Sequence, residues 1–141
     1  MINKLFFLIA IALIVSSCNN NEKKESSNLS EAEIFENTKV AVYYMHGKMR
    51  CVTCNELEKI AKETIEEEYS NNDDVKLYSI DFSLSENRDI SDKYEVAFSS
   101  LLIATKDDHV NITMEAFEKV FAETDELKEL IINEVNNYLN N

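Results

Sequence analysis

The chain contains no proline and no tryptophan, and Gly47 is its only glycine. Its turns must therefore be built mainly from Asn, Asp and Ser, as in residues 71–74 and 107–108. Gly47 is expected to supply a turn with positive φ, a conformation that other residues adopt rarely. Without proline, no X–Pro bond is present to favour a cis peptide.

Basic residues are also scarce, since the 141-residue chain has 14 Lys and Arg against 27 Asp and Glu, a net charge of −13. Nucleic-acid binding needs basic side chains that displace counterions from phosphates, so this balance argues against a nucleic-acid partner. It also argues against adhesion to anionic lipid headgroups through a basic patch. The length fits one domain, and a hydrophobic content of 45% suffices for a core.

The N-terminus carries the pattern of an exported, lipid-anchored protein. Residues 5–15 form an uninterrupted apolar run after Lys4, which is too short to span a bilayer comfortably but typical of a signal-peptide core. The run ends in Val-Ser-Ser before Cys18, which is similar to a lipobox, where the cysteine thiol receives a diacylglyceryl group. The sequence therefore predicts a signal peptide over residues 1–17 and lipidation of Cys18. An ordinary secretory signal and an uncleaved anchor are the alternatives.

Residues 18–37 are then expected to form the lipidated cysteine and a flexible tether, and residues 38–141 the folded domain. Residues 19–30 are polar and lack a periodic apolar pattern, as expected of a tether. Two or three acyl chains on one residue anchor a protein stably. The sequence therefore predicts a membrane-anchored lipoprotein whose folded domain lies outside the cytoplasmic membrane, facing the periplasm or on the cell surface.

Hydrophobic periodicity divides the predicted domain into strands and helices in the order β-α-β-α-β-β-α. β-branched and aromatic runs predict strands at residues 39–45, 75–82, 101–105 and 110–114, the last two as an antiparallel hairpin. Helical spacing of apolar residues predicts helices at residues 55–69 and 125–139, the second capped by Thr124, and the polar segment 85–94 is predicted to be a short helix. The same spacing predicts one helical face for Met114, Phe117, Val120 and Phe121.

Cys51 and Cys54 form a Cys-x-x-Cys pair between the first predicted strand and the first long helix. Free N–H groups and the dipole at a helix N-terminus stabilise a thiolate, which is the nucleophile in thiol–disulfide exchange. Arg50 adds a positive charge that should depress the pKa of the Cys51 thiol further. Thr53 and Glu56 fit a capping box, which would begin the helix at Thr53 and leave Cys51 just outside it.

Once Cys18 is used for the lipid, Cys51 and Cys54 are the two cysteines left, and in an oxidising compartment they will pair with each other. A purely structural disulfide across so short a loop would stabilise little. With His46, the two sulfurs would instead suit a soft or borderline ion such as Cu(I), Zn(II) or trivalent arsenic. A redox-inert interaction module is a further alternative. The residues alone leave these roles open beside thiol redox chemistry.

From about Lys39 to its end, the sequence resembles the thioredoxin-like superfamily, in which a strand–helix–strand start is followed by a hairpin and a closing helix. The segments YYMHG at residues 43–47 and MRCVTC at residues 49–54 resemble, more narrowly, a group of exported bacterial lipoproteins with an HG-x-x-RC-x-x-C signature. The resemblance implies an α/β, three-layer fold with a mixed central sheet and flanking helices. It also implies Cys51 as nucleophile and Cys54 as resolving thiol, with no cofactor besides their redox-active disulfide.

Two positions depart from the thioredoxin pattern. Met49 and Arg50 stand where an aromatic residue usually precedes the motif, and Ser100 aligns with the cis-proline that faces the active-site cysteines. A serine would hold a cis peptide only at a cost of about 3 kcal/mol. In the family, the cis-proline loop presents its backbone to the substrate and keeps metals off the dithiol.

The predicted function is that of a membrane-tethered thiol–disulfide oxidoreductase using Cys51 and Cys54. Its expected partners are exported thiol proteins or a redox or transport partner in the membrane, and it is expected to be a monomer. The alternative function is that of a lipoprotein that binds a soft metal or metalloid through His46, Cys51 and Cys54.

Overall fold

A four-stranded mixed sheet forms the centre of the structure, a computed structural model that describes residues 30–141. Its strands are β1 (Val40–His46), β2 (Val75–Asp81), β3 (Ser100–Ala104) and β4 (His109–Asn111), in the spatial order β2-β1-β3-β4. β1 and β2 run parallel, whereas β3 is antiparallel to β1 and β4 is antiparallel to β3. The predicted signal peptide and Cys18 lie outside the described residues.

Helices cover both faces of this sheet. The helical elements of the described residues are α1 (Glu31–Glu36), α2 (Val52–Tyr69), a 3-10 turn (Ser85–Asn87), α3 (Arg88–Lys93), α4 (Thr113–Lys119) and α5 (Thr124–Leu139). Within residues 30–141, none of these helices is long and apolar enough to cross a membrane.

The central strand β1 is buried on both faces, and its alternation builds two cores. Val40, Val42 and Tyr44 pack with residues of α2, α4 and α5. Ala41, Tyr43 and Met45 pack on the opposite face with residues of α1 and α3. The α/β, three-layer fold class that the sequence predicts is confirmed. Residues within 30–141 supply two hydrophobic cores, so a polypeptide that contains this segment is expected to fold.

The folded part begins earlier than residue 38, because residues that were predicted as tether form α1. Ser30 caps this helix through a capping box with Glu33, and Ile34 is only 1% exposed in the second core. Glu31 ties the helix to the domain by accepting hydrogen bonds from Lys93 and from the hydroxyl of Tyr94. A helix of six residues is too short to show apolar periodicity, which explains why the sequence pattern did not predict it.

The region after β3 differs from the prediction in detail. β4 ends at Asn111 because the Asn111 side chain accepts a hydrogen bond from the N–H of Thr113 (3.0 Å), which starts α4. Met114 and Phe121, predicted to share a helical face with the buried Val120, are 65% and 63% exposed. The segment is thus a short helix of its own between the hairpin and the closing helix.

The predicted cap of the closing helix is wrong. α5 includes Thr124, and the residue before it, Glu123, makes no side-chain capping bond. The Thr124 hydroxyl instead donates to the carbonyl of Val120 (3.3 Å), one turn earlier.

Four connections meet at one end of the sheet, which we call the site end. β1, β2 and β4 finish there and β3 begins there, since His46 pairs with Asp81, Met45 pairs with Ser100 and β4 is antiparallel to β3. In α/β sheets, the carboxyl ends of parallel strands are where ligands and substrates usually bind. The loop from β1 to α2, which carries Cys51, therefore extends from the site end.

Candidate redox site

A disulfide joins Cys51 and Cys54 at the start of α2, with their Cα atoms 5.0 Å apart. The predicted pairing is confirmed. Cys51 is exposed, whereas Cys54 is half-buried in the first turn of the helix. Cys51 therefore offers the sulfur that another protein can reach first.

Cys51 is the N-cap residue of α2, and its Sγ accepts a hydrogen bond from the N–H of Cys54 (3.1 Å). The predicted capping box at Thr53 is wrong, because the helix already begins at Val52. The correction strengthens the chemistry. At the N-cap, Sγ lies against the free N–H groups and the positive end of the helix dipole, so a thiolate at Cys51 is stabilised by the helix itself.

Arg50 does not bond to either sulfur among the described residues. Its guanidinium donates to the carboxylate of Glu58 and lies over the ring of Tyr44, with the guanidinium carbon 5.3 Å from the ring centroid. A cation placed over an aromatic face is attracted to it, so Tyr44 helps to fix the arginine. The direct stabilisation of the thiolate by Arg50 stays a prediction, and any such effect acts together with the charge of Glu58.

Tyr44 connects this ion pair to the cysteines. It is fully buried in β1, and its hydroxyl donates to the backbone carbonyl of Cys54 (2.6 Å). Burial is the main cause that raises the pKa of Tyr44, so the hydroxyl is protonated and can donate at neutral pH. On the other side of the pair, the hydroxyl of Ser79 donates to Glu58. We call Tyr44, Arg50, Glu58 and Ser79 the Arg50–Glu58 network.

Glu58 is ionised at neutral pH. Partial burial acts to raise the pKa of this carboxyl, but hydrogen bonds from Ser79 and Arg50 outweigh it and hold the pKa below its usual value. Glu58 belongs to no motif predicted from the sequence, although its position four residues after Cys54 places both on one face of α2. That spacing is the signal that could have found it.

His46 is the last residue of β1, where its ring stacks on Tyr44 with the centroids 5.9 Å apart. Its Nδ1 donates to the carbonyl of Gly47 (3.0 Å). Within residues 30–141, no three His, Cys, Asp or Glu side chains come close enough to hold a metal ion. The alternative ligand set of His46, Cys51 and Cys54 is therefore not assembled in this structure.

Gly47 differs from its prediction, because it does not have positive φ. Its role is one of space. A Cβ atom at this position would come within 3.2 Å of the Phe82 ring, which packs against the start of the loop.

Ser100 begins β3 at the site end, opposite Met45 in β1. Its hydroxyl donates to the carbonyl of Phe98 (2.8 Å), two residues earlier. No cis peptide bond occurs within residues 30–141. The assignment of the Ser100 segment to the place of the cis-proline loop of thioredoxins stays a prediction.

The site end also carries exposed apolar side chains. Five of the six large hydrophobic residues that are exposed in the described part lie on its loops or helix starts: Met49, Val52, Leu84, Phe98 and Met114. We call these five the apolar collar. Met49 and Val52 lie within two residues of Cys51 and are 92% and 78% exposed. These side chains are therefore available for apolar contact with another molecule at the site end.

Comparison with known proteins gives a likeness of fold. No family model matches the chain, and no curated protein matches it. Two structures of human ERp44 are similar, one of them the zinc-bound form, with TM-scores of 0.52 and 0.54 and identities of 19% and 16%. They cover 72% and 78% of this chain, which itself spans only 28% and 32% of theirs.

A thioredoxin from Fasciola hepatica is also similar, with a TM-score of 0.49 and 18% identity, over 74% of this chain and 89% of that one. The β2-β1-β3-β4 mixed sheet, the helices on both of its faces and the likeness to ERp44 agree with one another. Residues 30–141 have a thioredoxin-like fold, with a Cys51–Cys54 disulfide at the N-terminus of the helix that follows its central strand.

Proposed function

We propose that this chain is a membrane-tethered thiol–disulfide oxidoreductase that acts outside the cytoplasmic membrane through Cys51 and Cys54. One observation carries the proposal: Cys51 is the exposed N-cap residue of α2, and its Sγ is bonded to that of the half-buried Cys54 in the first helical turn. This arrangement gives one accessible sulfur whose thiolate the helix stabilises and one shielded sulfur within reach of it.

In the reducing direction, the Cys51 thiolate attacks one sulfur of a substrate disulfide. A Cys51–substrate disulfide forms, and the other substrate sulfur leaves as a thiolate and takes up a proton. Cys54 then loses its proton to solvent and attacks Sγ of Cys51. The second substrate thiolate leaves, and the Cys51–Cys54 disulfide is restored. The substrate gains the two electrons that the protein loses, so a dithiol donor must return them; the oxidising direction reverses each step.

The apolar collar supports proteins as substrates. Met49 and Val52 offer exposed apolar contacts close to Cys51 in the chain, and Phe98 offers another at the site end. Such contacts suit the side chains of a polypeptide better than a small charged thiol. The net charge of −13 disfavours acidic substrates and the surface of anionic lipids. Exported thiol proteins, or a redox or transport partner in the membrane, are the proposed partners.

The test uses the polypeptide from residue 19 onward, which contains the whole described domain. Replacing Cys54 by Ser removes the resolving sulfur, so reduced Cys54→Ser protein should trap substrates as mixed disulfides through Cys51. The matched control, Cys51→Ser, should trap few or none. Reduction of insulin disulfides with dithiothreitol as donor should be accelerated by the unaltered chain and by neither variant. Equal trapping by both variants, or no acceleration by the unaltered chain, would contradict the proposal.

The lipid anchor at Cys18 has its own test. Full-length protein should fractionate with membranes, and Cys18→Ala should release it or leave the signal peptide uncleaved. Membrane association that survives in a Cys18→Ala protein lacking residues 1–17 would show that the lipid is not the anchor.

A further inference from the structure

The Arg50–Glu58 network joins four parts of the chain near the disulfide: β1, the loop before α2, α2 itself and β2. Arg50 lies in the loop immediately before Cys51, Glu58 lies in α2, and Ser79 lies in β2. Tyr44, which contacts the guanidinium, also holds the carbonyl of Cys54. The side chains of Arg50 and Glu58 are each only 23% exposed, so solvent screens their charges less than it screens those of a surface pair.

Resting on the proposed function, we propose that Glu58 is a positioning residue that sets the reactivity of the dithiol by holding and neutralising the guanidinium of Arg50. Glu58 is not a catalytic residue, since it acts on the sulfurs only through Arg50 and through its own charge. With its two charges matched, the pair leaves the helix terminus as the main group that favours the thiolate at Cys51.

The argument depends on where the arginine is held. A free guanidinium next to Cys51 would stabilise a thiolate there, because an opposite charge nearby favours the charged form. In the structure the guanidinium is fixed between the Glu58 carboxylate and the Tyr44 ring, and its positive charge is matched by a negative one. The pair therefore adds little net charge at the start of α2, although each partner alone would add a full one.

Other titratable side chains lie on the elements around the pair or at the site end. His46 of β1 stacks on Tyr44, and Lys62 lies one turn after Glu58 in α2. Lys48 in the loop and Asp81 at the end of β2 also lie at the site end. All of these are unchanged in the variants below, so differences between variants report on Arg50 and Glu58.

The direction in which each variant shifts the pKa of Cys51 distinguishes this proposal from a purely structural role. Glu58→Gln leaves Arg50 unmatched, which should stabilise the thiolate, lower the pKa of Cys51 and make the disulfide more oxidising. Arg50→Gln leaves Glu58 unmatched, which should raise the pKa of Cys51 and make the disulfide less oxidising. The double variant restores a neutral pair and should return both properties close to those of the unaltered protein. A purely structural role predicts something different, because both single variants break the same ion pair and should act in the same direction.

The experiment measures the rate of Cys51 alkylation by iodoacetamide against pH in the reduced chain from residue 19 onward, and the equilibrium of its disulfide with glutathione. Each single variant should move the thiolate fraction at neutral pH about three-fold, or roughly half a pKa unit, in opposite directions. The shifts should shrink in 1 M salt, where charges are screened within about 3 Å.

Three further variants separate charge from structure. Glu56→Gln removes one acidic charge from the same helix, where Glu56 pairs with the exposed Lys59, and should shift the Cys51 pKa less than half as far as Glu58→Gln. Arg50→Lys keeps the positive charge and should stay close to the unaltered protein. Ser79→Ala removes a hydrogen bond to Glu58 but no charge, and should lower stability more than it moves the pKa.

Opposite shifts that cancel in the double variant would support the proposal. Shifts of the same sign, or unfolding midpoints that change while the pKa and the glutathione equilibrium stay constant, would overturn it. Neither readout involves a protein substrate. A chain that shows the predicted shifts but traps no partner would therefore contradict the proposed function and support this inference. A chain that traps partners but shows no such shifts would support the proposed function and contradict this inference.

Discussion

Tyr43 and Tyr44 are neighbours in β1 and are equally buried, yet the two faces of the sheet use them differently. Tyr44 points to the face of α2, where its hydroxyl bonds to the Cys54 carbonyl and its ring carries Arg50. Tyr43 points to the face of α1 and α3, and its hydroxyl has no hydrogen-bond partner among the described residues. Tyr44 therefore supports the site, whereas Tyr43 fills space in the core.

The aromatic neighbours of Tyr43 explain how the fold tolerates its buried hydroxyl without a hydrogen-bond partner in the described residues. Its ring lies 5.9 Å from that of Tyr78 and 5.5 Å from that of Tyr94, centroid to centroid, so the aromatic packing compensates for the unpartnered hydroxyl. On the α2 face, by contrast, Tyr44 donates a hydrogen bond to the carbonyl of Cys54, and Arg50 and Ser79 donate to Glu58. The face of α1 and α3 therefore serves packing, whereas the face of α2 serves both packing and the site.

The largest expected difference between the faces is in stability. Ile131→Ala truncates a fully buried side chain of α5 on the site face and should cost about 2–5 kcal/mol. Ile34→Ala truncates a side chain of α1, a six-residue helix that can detach without unfolding the sheet, and should cost less than Ile131→Ala. Urea denaturation measures both losses, and amide exchange should show α1 opening first in Ile34→Ala. Equal losses would place α1 in the same cooperative unit as α5.

The two tyrosines provide a smaller and more local comparison. Tyr44→Phe removes a hydrogen bond to the Cys54 carbonyl and should cost about 1 kcal/mol. Tyr43→Phe removes a hydroxyl that has no partner in the described residues and should leave the free energy of unfolding unchanged or raise it slightly. Urea denaturation of the matched pair is the measurement. A loss in Tyr43→Phe as large as that in Tyr44→Phe would show that the Tyr43 hydroxyl finds a partner in solution.

The sequence alone predicts more of the fold than of the candidate site. The runs around Val42 and Leu102 predict strands because β-branched and aliphatic residues repeat there, and the spacing of the two cysteines predicts their disulfide. These are local patterns. Glu58 and Ser79 meet only because α2 packs on β2, and no local pattern reports on such a contact. Even the N-cap was assigned two residues late, because Thr53 is a better cap by composition than Cys51.

The smallest expected effect concerns pH and again distinguishes the site face. Since the pKa of Glu58 is lower in the folded protein than in the unfolded chain, the stabilisation is complete above the ordinary glutamate pKa of about 4.3 and is lost as the pH falls through the lower, folded value. The pair is partly exposed, so its full effect should be no more than about 1 kcal/mol. The unaltered protein should therefore be more stable than Glu58→Gln at pH 7, and the two should converge as the pH is lowered from 5 to 3. Urea denaturation across this range is the measurement, with Glu68→Gln, an exposed glutamate of the same helix, as control. A difference that persists undiminished at pH 3 would mean that Glu58 acts through its shape and not through its charge.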